Sequence, residues 1–109
     1  MVVSHKIKDY SNLIISNYSG GNQIGFIYLY DESNKYLGYF GIIKDGQVLP
    51  HNVQHANKIL NIYFHEAEML SLLDTLRNED PVYVKFHTTL KWGSLSTGKE
   101  PVGEGEATP

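Results

Sequence analysis

Apolar and polar positions alternate at the start of the chain, where Val3, His5 and Ile7 interleave with Ser4, Lys6 and Lys8. A period of two is the signature of a half-buried strand. The run "NLIIS" follows a short polar break, so residues 2–16 read as one bent strand or two. "NYSGGNQ" (17–23) is a loop with paired glycines. "IGFIYLY" is rich in the aromatic and β-branched residues that suit a pleated surface. It joins "YLGYFGIIK" through the turn residues "DESNK", which predicts a hairpin with a five-residue loop. Asp45-Gly46 suits a tight type I′ turn and predicts a short strand over 47–49, ended by Pro50.

After the polar connection "HNVQHANK", the strand-like "ILNIYF" runs directly into a different period. Met69, Leu72, Leu73 and Leu76 fall at i, i+3, i+4 and i+7, one stripe of a helix over 66–77. Glu66 and Glu68 in the first turn and Arg77 in the last complement the helix dipole. Asn78 suits a left-handed end, and Pro81 forbids continuation. "PVYVKFH" and "LKWGSLS" read as two final strands. The expected fold is α+β: an antiparallel sheet of about five to seven strands, open or curled into a partial barrel. The helix packs on one face, in the order β-β-β-(β)-β-α-β-β.

The hairpin raises a question of coverage. Strict alternation gives one strand the faces Ile24, Phe26, Tyr28, Tyr30 and Gly25, Ile27, Leu29. The other strand has Tyr36, Gly38, Phe40, Ile42 and Leu37, Tyr39, Gly41, Ile43. Both faces are apolar, and one helix covers one face. The remaining face is covered by the chain's own curl, by a second copy, or by a ligand. Tyrosine, with an apolar body and a polar tip, suits a half-wet contact. Tyr28, Tyr30, Tyr36 and Tyr39 are therefore the expected contact residues of a homo-oligomer, with a dimer favoured.

Composition narrows the alternatives. The chain has 109 residues, 41% of them hydrophobic, which is enough for a single core. It reads as one α+β domain over 1–98 and an acidic tail over 99–109, with Gly, Pro and three glutamates, expected to be largely disordered. The net charge is −3, of which the tail carries −2, so the body is nearly neutral. Such a body has no long-range field to steer nucleic acid or an anionic membrane. No cysteine is present, which excludes thiol chemistry and cysteine-ligated metals. The amino terminus lacks a signal-peptide pattern and no stretch is long and apolar enough for a span, so a soluble, cytoplasmic protein is expected.

Candidate chemistry is sparse. Gly93 to Lys99 spells the first seven positions of a phosphate-binding loop, G-x-x-x-x-G-K. A working loop puts Ser or Thr after the lysine to hold magnesium, and a helix behind it. Here Glu100 follows, so a strand end is the better reading. His51 and His55 stand at i and i+4, a spacing that on a helix could share one zinc ion, yet their segment is polar and follows a proline. "HEAE" (65–68) lacks the second histidine of a zinc-protease motif. No cofactor is implied and no catalytic residue stands out.

Aromatic strands interleaved with Lys35, Lys44, Lys85 and Lys91 offer another class, a single-stranded nucleic-acid binder with stacking rings and phosphate-holding ammonium groups. In element order alone, a strand meander followed by one helix resembles the Whirly-type single-stranded-DNA-binding regulators. The neutral body weighs against that partner. The functional expectation is a small non-catalytic binding module that self-associates. Its rivals are the nucleic-acid binder and a small enzyme with an unmarked pocket.

Overall fold

A computed structural model describes residues 1–99; the predicted tail over 99–109 falls almost wholly outside the described residues. The fold is α+β, with one α-helix and two sheets among the described residues. The amino-terminal segment forms two strands, β1 (Val2–Ile7) and β2 (Asp9–Ile14), and the break at Lys8 is where the chain passes from one sheet to the other. β3 (Gln23–Tyr30) and β4 (Tyr36–Ile43) form the expected hairpin around a five-residue loop. Asp31 organises that loop, its carboxylate accepting the Ser33 and Lys35 N–H groups at 2.8 and 2.9 Å.

Beyond β4 the chain departs from the expected order. The turn at Asp45-Gly46 has positive φ at Gly46 alone (83°), whereas type I′ requires it at both central residues. No hairpin partner follows over 47–49. Instead residues 44–59 cross over, contributing the two-residue β5 (Val53–Gln54), and return as β6 (Leu60–His65) beside β4 and parallel to it. The large sheet therefore has the order β2-β3-β4-β6-β5 and is antiparallel except at β4–β6. The small sheet is antiparallel, β1-β7-β8, with β7 over Val82–His87 and β8 over Gly93–Thr97. Neither sheet closes into a barrel.

A 3-10 turn at Glu66–Glu68 leads into α1 (Met69–Asn78). No local side chain caps this start; the Asp45 carboxylate, brought in by the β4 turn, accepts the Ala67 N–H at 3.0 Å. The helix ends on an extended Glu79 rather than a left-handed residue, and Asn78 donates its amide back to Asp74 at 2.8 Å. The predicted stripe faces inward: Leu72 and Leu76 are buried, and Met69 and Leu73 pack against the same core. Leu70, on the edge of the stripe, is 73% exposed.

One core joins both sheets and the helix. Ile27 and Leu29 of β3, Phe40 and Ile42 of β4, and Leu60 and Ile62 of β6 meet Ile7 of β1 and Val82, Val84 and Phe86 of β7. The inner face of the large sheet is thus covered by the helix and the small sheet together. At about 1.5–3 kcal/mol for each fully buried aliphatic or aromatic side chain, this layer is the main stabilising term.

Candidate interaction surface

The outer face of the large sheet carries an array of rings. In cross-strand rows it reads Leu13–Phe26–Gly41–Tyr63, then Ser11–Tyr28–Tyr39–Asn61–Val53, then Asp9–Tyr30–Tyr36. Ring centroids lie 5.6 Å apart for Phe26–Tyr28, 5.1 Å for Phe26–Tyr39, 6.4 Å for Tyr28–Tyr39 and 6.0 Å for Tyr39–Tyr63. Tyr36 completes the set, 6.3 Å from Tyr28 and 5.8 Å from Tyr30. All of these rings are half-buried by one another and none is fully covered. Leu13 and Val53 flank them as exposed apolar residues.

Tyr36 and Tyr39 share this face because β4 is irregular. Strict alternation assigns residues three apart to opposite sides. Here the register slips between Leu29 and Tyr30, so that Leu29 faces Gly38 while Tyr30 faces Tyr36, and Leu37 is the extra residue of a β-bulge. Leu37 turns into the core and Tyr36 swings to the ring side. Gly38 makes the bulge possible. Its φ is +136°, and a Cβ there would stand 2.0 Å from the Leu60 carbonyl oxygen. Gly41 serves the array differently: a Cβ there would meet Tyr63 Cδ1 and Gln23 Nε2, both at 2.7 Å, so the Tyr63 ring lies over bare backbone.

The face is polar at its tips. The Tyr39 and Tyr63 hydroxyls hydrogen-bond at 3.1 Å. Burial, the bond to Tyr63 and the proximity of that second phenol hold the Tyr39 hydroxyl well above the ordinary tyrosine value. Burial, then the neighbouring Tyr28 and Tyr30, raises Tyr36 as well. Both stay neutral at physiological pH, so the array presents hydroxyl donors and acceptors without charge. Beside them Gln23 Nε2 is buried with no hydrogen-bond partner among the described residues. A face of rings, two flanking aliphatics and uncharged polar tips can bind an apolar surface with a polar rim. It holds no nucleophile–base pair.

No family model, curated protein or solved structure matches the chain. The geometry of the fold therefore carries the functional reading.

The other sequence candidates separate in space. The run Gly93–Lys99 is mostly strand β8, paired with β7, and Gly98 donates its N–H to the Pro81 carbonyl at 3.0 Å. Extended backbone does not wrap a phosphate. His51 and His55 flank strand β5, so no helix face unites them; the His55 ring instead bonds the Asn61 amide at 2.9 Å. No group of three or more metal-ligating side chains converges among the described residues. His65 Nε2 bonds the Gln47 carbonyl at 2.7 Å, which fastens the crossover. Of the four lysines interleaved with aromatics, Lys85 lies over Tyr83 and Lys91 over Phe86, both belonging to the small sheet. Lys44 donates to the Tyr18 carbonyl. Lys44, Lys85 and Lys91 are thus engaged away from the ring array, while Lys35 adjoins it beside Tyr36.

An open cleft of about 350 Å³ lies between α1 and β8, floored by Phe64, Leu72 and Leu95 and rimmed by Ser71, Thr75, Ser94 and Glu68. Among the described residues Glu68 is its one charged lining residue, with no second titratable side chain beside it. No described helix is long and apolar enough to cross a membrane.

Two members of the ring array, Phe26 and Tyr63, were not among the expected contact residues. Alternation already put Phe26 beside Tyr28 and Tyr30, so that signal was present. Tyr63 joins only because β6 runs parallel to β4, a pairing that no local pattern in "ILNIYF" reveals.

Proposed function

We propose that this chain is a non-catalytic binding module that self-associates, one copy laying the outer aromatic face of its large sheet against that of another. The observation that supports this most is the ring array itself: Phe26, Tyr28, Tyr30, Tyr36, Tyr39 and Tyr63 on one side of a sheet whose other side is already packed. Tyrosine-rich, flanked by Leu13 and Val53 and with Asp9 as a charge at its margin beside Tyr30, the face has the composition of an interface centre with a polar rim. Four strands at ~4.8 Å spacing and eight residues at ~3.3 Å rise span roughly 500 Å² in projection. Two such faces give about 1,000 Å² before side-chain relief is counted, near the lower bound of a specific complex. A cytoplasmic setting belongs to this reading.

Cross-strand ring pairs also stabilise a sheet on their own, and that role is compatible with the proposal. What distinguishes an interface is the effect of a charge at the margin of the array. Tyr30 touches only Tyr36 among the rings, so Tyr30→Lys costs the fold little while placing a cation in the contact. Sedimentation velocity at micromolar concentration is expected to show a dimer for the wild type and a monomer for Tyr30→Lys with an unchanged far-UV circular dichroism spectrum, the melting temperature falling only by the stabilisation that association lends. A wild-type monomer throughout the concentration range overturns the proposal. Salt-dependent binding of a mixed-sequence oligonucleotide, lost in Tyr28→Ala, would favour the nucleic-acid reading instead.

A further inference from the structure

The most exposed strand of the large sheet is β2, which lies at its end with no strand beyond it among the described residues. Its residues Asp9–Ile14 follow the burial pattern of an uncovered edge, and Leu13 and Ile14 are 48% and 56% exposed. Long open edges are templates for further strands, and proteins usually blunt them with lysine, proline, bulges or brevity. β5, at the opposite end of the sheet, is only two residues long. β1, an edge of the small sheet, carries His5 and Lys6. β2 has neither device: its one charge is Asp9, at its start, and it contains no proline and no register shift against β3.

The ladder to β3 fixes which backbone groups are free. The Ile15 N–H bonds the Ile24 carbonyl at 2.8 Å, in the same register that pairs Asp9 with Tyr30. Hydrogen-bonded pairs recur every second residue in an antiparallel ladder, so positions 11 and 13 point their amides at β3, and at the strand's start the Lys8 N–H bonds the Tyr30 carbonyl at 2.8 Å. The amides and carbonyls of Tyr10, Asn12 and Ile14 therefore point outward.

We infer that this edge pairs with the β2 edge of a second copy of the chain, antiparallel, about a two-fold axis through Asn12 and perpendicular to the sheet. That register sets Tyr10 opposite Ile14 of the second copy, Asn12 opposite its own equivalent, and Ser11 opposite Leu13. No like charges meet, and both exposed aliphatics gain an apolar or small polar neighbour. Three hydrogen-bonded pairs, at two bonds each, close about six backbone hydrogen bonds. Self-complementarity about one axis is what selects a second copy over an unrelated strand. The two sheets become one, with the aromatic faces side by side. This contact goes beyond the face-to-face reading and does not depend on it: its axis stands at right angles to any two-fold lying between stacked faces, so both can coexist in a closed tetramer.

Amide hydrogen exchange followed by NMR tests the inference residue by residue. The wild type at high concentration is expected to protect Tyr10, Asn12 and Ile14 at least tenfold more than the same sample diluted below association. Asn12→Pro removes an outward N–H and leaves the β3 ladder intact, as proline permits on an edge. It is expected to abolish protection at Tyr10 and Ile14 while leaving Ser11 and Leu13 protected. Asn12→Lys, which sets two ammonium groups opposite each other, is expected to act likewise and guards against a misfolded proline variant. Exchange of Tyr10, Asn12 and Ile14 at unprotected rates at every concentration, with Ser11 and Leu13 protected, overturns the inference. So does protection that ignores concentration or survives both variants. Tyr30→Lys reports separately on the aromatic face and is expected to leave this edge pattern unchanged.

Discussion

Gly38→Ala is the substitution that the structure makes most consequential for its size. The methyl group enters at a φ of +136°, a region in which an L-residue costs about 1–3 kcal/mol. It also stands 2.0 Å from the Leu60 oxygen, 2.7 Å from its nitrogen and 2.8 Å from its carbonyl carbon. These are backbone atoms of the neighbouring parallel strand, so no side-chain rotation relieves the contact. Displacing β6 from β4 adds about 1–3 kcal/mol of the kind that overpacking produces. The sum, roughly 2–6 kcal/mol, is a large part of the ~5–15 kcal/mol that holds a domain together. Thermal unfolding followed by circular dichroism is the assay, and a fall of at least about 10 °C is expected. Gly46→Ala is the control, because Gly46 also has positive φ (83°) but nothing within 4 Å of the added Cβ. It should cost only the backbone term, about 1–2 kcal/mol. If Gly38→Ala melts within a few degrees of the wild type, or the two variants lose the same amount, the close approach of β4 to β6 is not what Gly38 serves.

Other expected outcomes follow from burial and from the hydroxyl pair. Leu76→Ala should cost about 2–5 kcal/mol in denaturant titration, because Leu76 is buried in the core, whereas Leu70→Ala on the exposed side of the same helix should stay within about 0.5 kcal/mol. Tyr39→Phe removes the 3.1 Å bond to Tyr63 and should destabilise by about 0.5–1.5 kcal/mol, read in the same titration. Tyr36 and Tyr39 have raised folded-state values, so the folded chain holds their protons more tightly than the unfolded chain. Their contribution is fully present below the ordinary tyrosine value of 10.0 and is lost as pH rises beyond it through the raised folded values. Phenolate absorbance should show two tyrosines ionising late in the folded wild type and one in Tyr39→Phe. Magnesium nucleotide added to the wild type should give no calorimetric binding signal that Lys99→Ala removes.

Much of the fold was legible in local pattern. The helix stripe, the hairpin with its five-residue loop and the strand within "LKWGSLS", which begins at Gly93, follow from period and turn chemistry, because each is decided by residues close in sequence. What local pattern missed is non-local or irregular. The parallel pairing of β4 with β6 depends on a crossover over 44–59 that has no periodicity of its own. The division into two sheets at Lys8 depends on β1 finding β7, some seventy-five residues away in the chain. The aromatic face was half visible. Alternation groups Phe26, Tyr28 and Tyr30, but it separates Tyr36 from Tyr39, and only the bulge at Leu37 reunites them. The glycine that permits the bulge stands in plain view as Gly38, yet a glycine inside a strand marks a bulge, a bend or a close approach without saying which. Asp45 as the cap of a helix start more than twenty residues downstream is equally invisible without the fold.

The central claim is that the ring array of one copy meets the ring array of another. An isotope-filtered NOE experiment on a mixture of labelled and unlabelled chains observes that contact directly. Intermolecular cross-peaks are expected among the ring protons of Tyr28, Tyr30, Tyr36 and Tyr39, reaching the Leu13 and Val53 methyl groups at the margins. Ring cross-peaks that are all intramolecular, in a sample shown by sedimentation to be associated, would contradict it.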